Sequence, residues 1–225
     1  MTKKEEWLAG TRSAVPIMLG YVPVGIAYGV MARQAGLNTW QTVLMSLTVY
    51  GGASEMMAAG MVAQGAAVLT IVLTTFILNL RHIIMSTCVF NQMQGGRLPV
   101  RMLAAFGVTD ETFAVYTTTA NAPRTPRYFF SMALCSYLSW ALGSWLGAIA
   151  TGLLPPLITA ALGISLYAMF IGLLMPGLHG NGRLAALVVL TALCNTVLCN
   201  VVQLDSGLVD DPFHAGMCGA GVIFL

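Results

Sequence analysis

Asp110 and Glu111 stand side by side in an otherwise apolar stretch, Met102 to Ala120. A carboxylate at bilayer depth costs roughly 2.5–3.5 kcal/mol on insertion scales, so it is kept where a substrate, an ion or a partner needs it. This pair could carry a proton or anchor a substrate ammonium. The plainer alternative is a buried salt bridge, for example to Arg81. Neighbours on a regular helix point about 100° apart, which predicts one carboxylate facing a cavity and the other holding a neighbouring helix. Asp110 lies roughly 14 Å along a regular helix from Arg101, near the middle of a hydrocarbon core about 30 Å thick.

Three more polar groups sit at depth: Glu55, Arg81 and His82. Glu55 follows Gly51, Gly52 and Ser54 near the centre of its apolar stretch. Two adjacent glycines let a helix unwind and a ligand approach the backbone. A helix restarting there offers free N–H groups to a carboxylate. Arg81 and His82 follow Asn79. Arginine stays charged, so Arg81 needs a counter-ion or the membrane interface, and His82 would be its titratable neighbour. Together these groups suit a zwitterion with an apolar tail. Met56, Met57 and Phe113 flank the acidic positions and could meet that tail, although residues at such spacing are more often ordinary packing residues.

The elements that must position these residues are membrane spans. Only 8% of the 225 residues are charged and 57% are hydrophobic, with a mean hydropathy of +0.80. A soluble chain carries about 25% charged residues. The composition predicts an all-α, polytopic transmembrane helix bundle in one domain, residues 1–225. Apolar stretches run from Ser13 to Ala32, Trp40 to Val62, Ala66 to about Phe90, Val100 to Ala120, Tyr128 to Thr151, after Pro156 to Pro176, and Leu184 to Val202. That makes seven spans, and Phe213 to Leu225, at 13 residues, is a half-helix, since a span needs about 20. Met1 to Arg12 lacks the features of a cleaved signal peptide. A net charge of +2 without a basic patch gives no reason to invoke nucleic acid.

With the N-terminus inside, six Lys or Arg residues (Lys3, Lys4, Arg12, Arg124, Arg127, Arg183) fall on the cytoplasmic side and three (Arg33, Arg97, Arg101) outside, which favours that orientation. The five cysteines, Cys88, Cys135, Cys194, Cys199 and Cys218, form no CxxC pair and read as free, reduced thiols buried in lipid or in the core. No cofactor is implied. Pro16, Gly20, Pro23, Gly25 and Gly29 crowd the first span. They predict a helix broken near its centre, with freed backbone lining a site beside the Gly51–Gly52 break; a kinked packing helix is the alternative. Gly25-Ile-Ala-Tyr-Gly29 and Gly143-Ser-Trp-Leu-Gly147 are GxxxG patterns suited to close helix packing. Gly51 to Ala58 can be laid on Gly107 to Ala114, with glycine, glutamate and alanine matching 56 residues apart, as an internal repeat would give.

Four motifs carry a family resemblance: Pro23-Val-Gly25, Tyr50-Gly-Gly-Ala-Ser54, Asn79-Leu-Arg-His82 and Gly107-Val-Thr-Asp-Glu111. In this order they resemble the AzlC family, the large subunits of bacterial branched-chain amino-acid exporters. The resemblance runs from about Ser13 to Val202. It implies a multi-pass inner-membrane protein that is not an enzyme and that works with a small AzlD-type membrane subunit. It also implies proton-driven export of valine, leucine, isoleucine and sometimes methionine. The candidate substrate-binding residues are then Pro23, Gly25, Gly51, Gly52, Ser54, Glu55 and Met56. Those for proton coupling or ion pairing are Asp110, Glu111, Arg81, His82 and Asn79. The family often has glutamine at the position of Glu55, so a proton role there would belong to this chain. The main competing reading is a cation or metal transporter using the same acids, for which no metal-ligand spacing is present. An intramembrane enzyme would need a pair such as Ser54 and His82, and no nucleophile elbow surrounds Ser54. A non-transporting assembly subunit would leave the costly buried charges unexplained.

Overall fold

The computed structural model describes residues 2–120, 122–153, 182, 185–191, 193, 194, 196 and 197. The expected sixth span, the end of the seventh, Cys199, Cys218 and the C-terminal half-helix lie outside them. The described residues form helices joined by turns, with no strand among them. The first helix, α1, runs from Lys3 to Gln34. It opens on a capping box: the Thr2 hydroxyl accepts from the Glu5 amide, and the Thr2 amide donates to the Glu5 carboxylate at 2.8 Å. The predicted break does not occur, because α1 passes through both Pro16 and Pro23 without interruption. A proline removes only one donor and its ring bends a helix rather than ending it when neighbours hold both sides.

The neighbour is α8, Pro126–Ala150. The two GxxxG patterns meet each other. A Cβ on Gly25 would come within 3.0 Å of the Trp140 carbonyl, and one on Gly143 within 2.7 Å of the Val22 carbonyl. Gly29 and Gly147 are tighter still, against Ser144 and Ile26 backbone. So Gly25 and Gly29 serve backbone-to-backbone packing rather than a break. Contacts at the two N-termini, Arg127 to Glu6 at 3.7 Å and Tyr128 to Ser13 at 2.8 Å, show that α1 and α8 run parallel. Parallel helices need an odd number of crossings between them.

Three helix pairs lie between, where the second, third and fourth spans are expected. The second span is two half-helices, α2 (Thr39–Thr48) and α3 (Gly52–Ala63). Between them Val49–Gly51 is unwound, and Tyr50 takes a left-handed φ of 48°. This is the predicted break at the paired glycines. The third span is α4 (Val68–Asn79) and α5 (Arg81–Gln92), joined through Leu80, which keeps helical angles. Its face of Val68, Leu69, Val72, Phe76, Ile83 and Ile84 is exposed, as suits contact with acyl chains. The fourth span is also broken, into α6 (Leu98–Phe106) and α7 (Asp110–Thr118). Gly107–Thr109 is the gap, and Thr109 caps α7 through its hydroxyl to the Thr112 amide. Three described helices, Lys3–Gln34, Val68–Gln92 and Pro126–Ala150, are long and apolar enough to cross a membrane. The core lies between α1 and α8, built on Tyr21, Tyr28, Phe129, Met132 and Trp140. Cys88, Cys135 and Cys194 are free.

Candidate functional site

The breaks of the second and fourth spans converge. Tyr50, Gly51, Gly52 and Ala53 from one side, and Thr109, Asp110 and Glu111 from the other, line a single cavity. Tyr21 of α1, Arg81 and His82 of α5 and Trp140 of α8 complete it. The partner of the Gly51–Gly52 break is therefore the fourth span, not the first.

Both acids line this cavity, and they diverge as neighbours on a helix must, Asp110 toward Arg81 of α5 and Glu111 toward Tyr21 of α1. They are the first two residues of α7, so the depth reckoned along an unbroken helix from Arg101 does not apply. Asp110 Oδ2 lies 2.9 Å from Arg81 Nη2. Glu111 accepts from the Tyr21 hydroxyl at 2.6 Å, and that hydroxyl is 2.7 Å from Thr109 Oγ1. The two carboxylates thus have different partners. Asp110 has a guanidinium to balance it, whereas the described bonds of Glu111 are to a neutral phenol.

Glu55 lies behind the cavity wall and is 0% exposed. Its oxygens accept from the Gly51 amide at 2.9 Å, from Ser46 Oγ at 2.9 Å and from Trp140 Nε1 at 3.2 Å. Ser46 Oγ is also 2.7 Å from Ser144 Oγ. Glu55 therefore ties both sides of the break to α8 and does not reach the cavity. Ser54 bonds only locally, donating to the Gly51 carbonyl at 2.9 Å. Met56 is packed in the α1–α8 core, and Gly25 is held against α8. Pro23 lies within continuous α1 and, like Gly25, Ser54, Glu55 and Met56, is not among the residues lining the cavity. Asn79 sits just behind Gly51, its buried Oδ1 3.6 Å from where a Gly51 Cβ would be, and its carbonyl is 3.2 Å from His82 Nδ1.

A buried donor left without an acceptor costs about 1–3 kcal/mol. Glu55→Ala strands the Gly51 amide and the Trp140 indole together, so it should lower stability by at least about 2 kcal/mol. Glu55→Gln keeps an acceptor for both and a donor for Ser46, so its melting temperature in detergent should stay near wild type. A Glu55→Gln protein as unstable as Glu55→Ala would show that the hydrogen bonds do not account for the loss.

Sequence reasoning missed Tyr21, Trp140, Ser46 and Ser144. Buried aromatics in spans usually pack, and nothing local marks these two as reaching a carboxylate 85 to 90 residues away. Tyr50 and Thr109 did stand inside the motifs that flagged the site.

The AzlC protein family model matches residues 16–154, which hold every residue that lines this cavity. The chain belongs to the AzlC family. An uncharacterised membrane protein of Archaeoglobus fulgidus is 33% identical over 83% of this chain and 82% of its own length. The inner membrane protein YgaZ of Escherichia coli is 29% identical over 90% of this chain and 86% of its own. The branched-chain amino acid transport protein AzlC of Bacillus subtilis is 27% identical over 66% of this chain and 61% of its own. No solved structure matches the chain. This AzlC-family chain is thus similar to several membrane proteins, one of them named for branched-chain amino acid transport.

Proposed function

We propose that the protein is a secondary transporter that exports valine, leucine, isoleucine and methionine from bacteria across the inner membrane, driven by protons. Its N-terminus is cytoplasmic and its partner is a small AzlD-type membrane subunit. The observation that carries this reading is the cavity where two broken spans meet, with groups suited to both signs of charge. The uncapped N-terminus of α3 brings the Gly52 and Ala53 backbone there, beside Arg81. Helix N-termini and guanidinium groups favour a carboxylate. Asp110 and Glu111 supply the opposite corner for an ammonium. Broken helices that meet at a polar cavity are a recurring plan for substrate sites in secondary transporters. The matching glycine and glutamate at the two breaks are what an internal repeat would leave.

Glu111 is the better proton carrier of the two acids. Arg81 already balances Asp110, whereas Glu111 is balanced by taking up a proton or by meeting the substrate ammonium. Among the described residues no group of three His, Cys, Asp or Glu side chains stands close enough to hold a metal ion, so nothing there favours the cation reading.

Export is tested by loading cells with leucine, valine or isoleucine, with and without the protein and its presumed partner, and following both sides of the membrane. Unchanged efflux would refute the reading. Gly52 probes the site itself. A Cβ there would sit 3.0 Å from the Trp140 ring. Gly52→Leu should therefore fill the cavity and cut efflux at least about tenfold, a loss of ~1.4 kcal/mol in site affinity. The variant should still insert, since its helix is otherwise unchanged. Normal efflux from it would place the substrate elsewhere.

A further inference from the structure

The polar cavity has a volume of about 20 Å³, room for about one water. An amino acid cannot enter unless a wall gives way. Most of the lining side chains are tethered. Tyr21 is bonded to Glu111, Arg81 to Asp110, His82 to Asn79, and Trp140 to Glu55. Tyr50 is the exception. The residue is 4% exposed, and its buried hydroxyl makes no hydrogen bond of good geometry to a described group. Its φ of 48° is also an unfavourable backbone state for an aromatic residue. Strain and an unpaired buried hydroxyl at one residue are the marks of a part held ready to move.

Tyr50 also lines a second, more open cavity of about 210 Å³, with the exposed Leu103 and Phe106 at its rim. It is walled by Leu103, Ala104, Phe106, Ala133, Leu134 and Tyr137, and its lining is almost wholly apolar. An apolar cavity of about 150 Å³ suffices for benzene, so a branched aliphatic side chain fits. Tyr50 is the wall that the two cavities share. Resting on the transport reading above, we propose that this apolar cavity is the subsite for the substrate's side chain, and that Tyr50 swings to join it to the polar cavity. The ammonium and carboxylate then stay among Arg81, Asp110, Glu111 and the α3 N-terminus. The aliphatic tail lies among Leu103, Ala104, Ala133 and Leu134, which set its allowed size.

The test compares export of leucine, valine and phenylalanine by the full-length protein with its partner, in wild type and two variants that change the subsite in opposite senses. One methylene in an apolar pocket shifts selectivity by about tenfold or more. Ala133→Leu narrows the subsite and should lower the leucine-to-valine rate ratio by about that factor. Leu134→Ala widens it and should raise phenylalanine export relative to leucine by a similar one. The second variant removes bulk, so it guards against a folding failure in the first. Monodisperse elution from detergent checks assembly of both. Ratios that follow these directions support the subsite. Unchanged ratios in assembled variants overturn it while leaving the transport reading intact. A wild type that exports none of the three overturns the transport reading and this proposal with it.

Discussion

Asp110→Asn should destabilise the protein and stop transport, while Arg81→Met added to it should restore stability but not transport. The pair is largely enclosed, with 19% of the Arg81 side chain and 27% of the Asp110 side chain exposed. Removing one partner of a buried pair costs about 3–5 kcal/mol, because the remaining charge keeps its desolvation cost and loses its compensation. The partial exposure places the expected loss near the bottom of that range. Removing both charges avoids the penalty, since apolar pairs of similar volume often replace buried ion pairs without loss. Thermal unfolding in detergent, read beside leucine efflux, separates the two effects. A stable, inactive Asp110→Asn single variant would assign the carboxylate to the substrate or the proton alone. Full activity in the double variant would remove the pair from the mechanism.

The second large effect is expected at Gly147. A Cβ at this position lands on the Ile26 carbonyl of α1. The obstacle is backbone, so no rotamer change relieves it. Gly147→Leu should cost more than the about 1–3 kcal/mol of ordinary overpacking and should largely abolish assembled protein. Gly60→Leu is the control, because a Cβ there meets nothing within 4 Å. Comparison of membrane-inserted protein for the two variants decides it. Normal levels of the Gly147 variant would mean that α1 and α8 do not pack through their glycines.

The helical membrane character was legible because composition alone excludes a soluble fold. The second break was legible because Gly51 and Gly52 adjoin in mid-span. The fourth was hidden: Gly107 is a single glycine, and Thr109 announces a new helix only once its capping hydrogen bond is seen. The prolines of the first span misled in the other direction. Local chemistry favours a break at Pro23, but long-range packing of Gly25 and Gly29 on α8 overrides it. Arg81 and the acids were visible as costly residues, and their cost drew them to one place. Glu55 shows the limit of that logic. Its burial was foreseeable, but whether it faces a ligand or a wall depends on Ser46 and Trp140, which are far apart in the chain.

The bonds that close the second span have a consequence in time. Leu47 receives its hydrogen bond from Tyr137, 90 residues later, and Glu55 receives one from Trp140, 85 residues later. At about 5–20 residues per second, the ribosome needs roughly 4–18 s to deliver those partners. Through that interval the unwound turn at Tyr50 has neither α8 nor a finished cavity around it. The nascent chain must shelter it in water, at the headgroups or in the insertion machinery. The broken span is thus among the first pieces made and cannot be completed until the fifth span arrives.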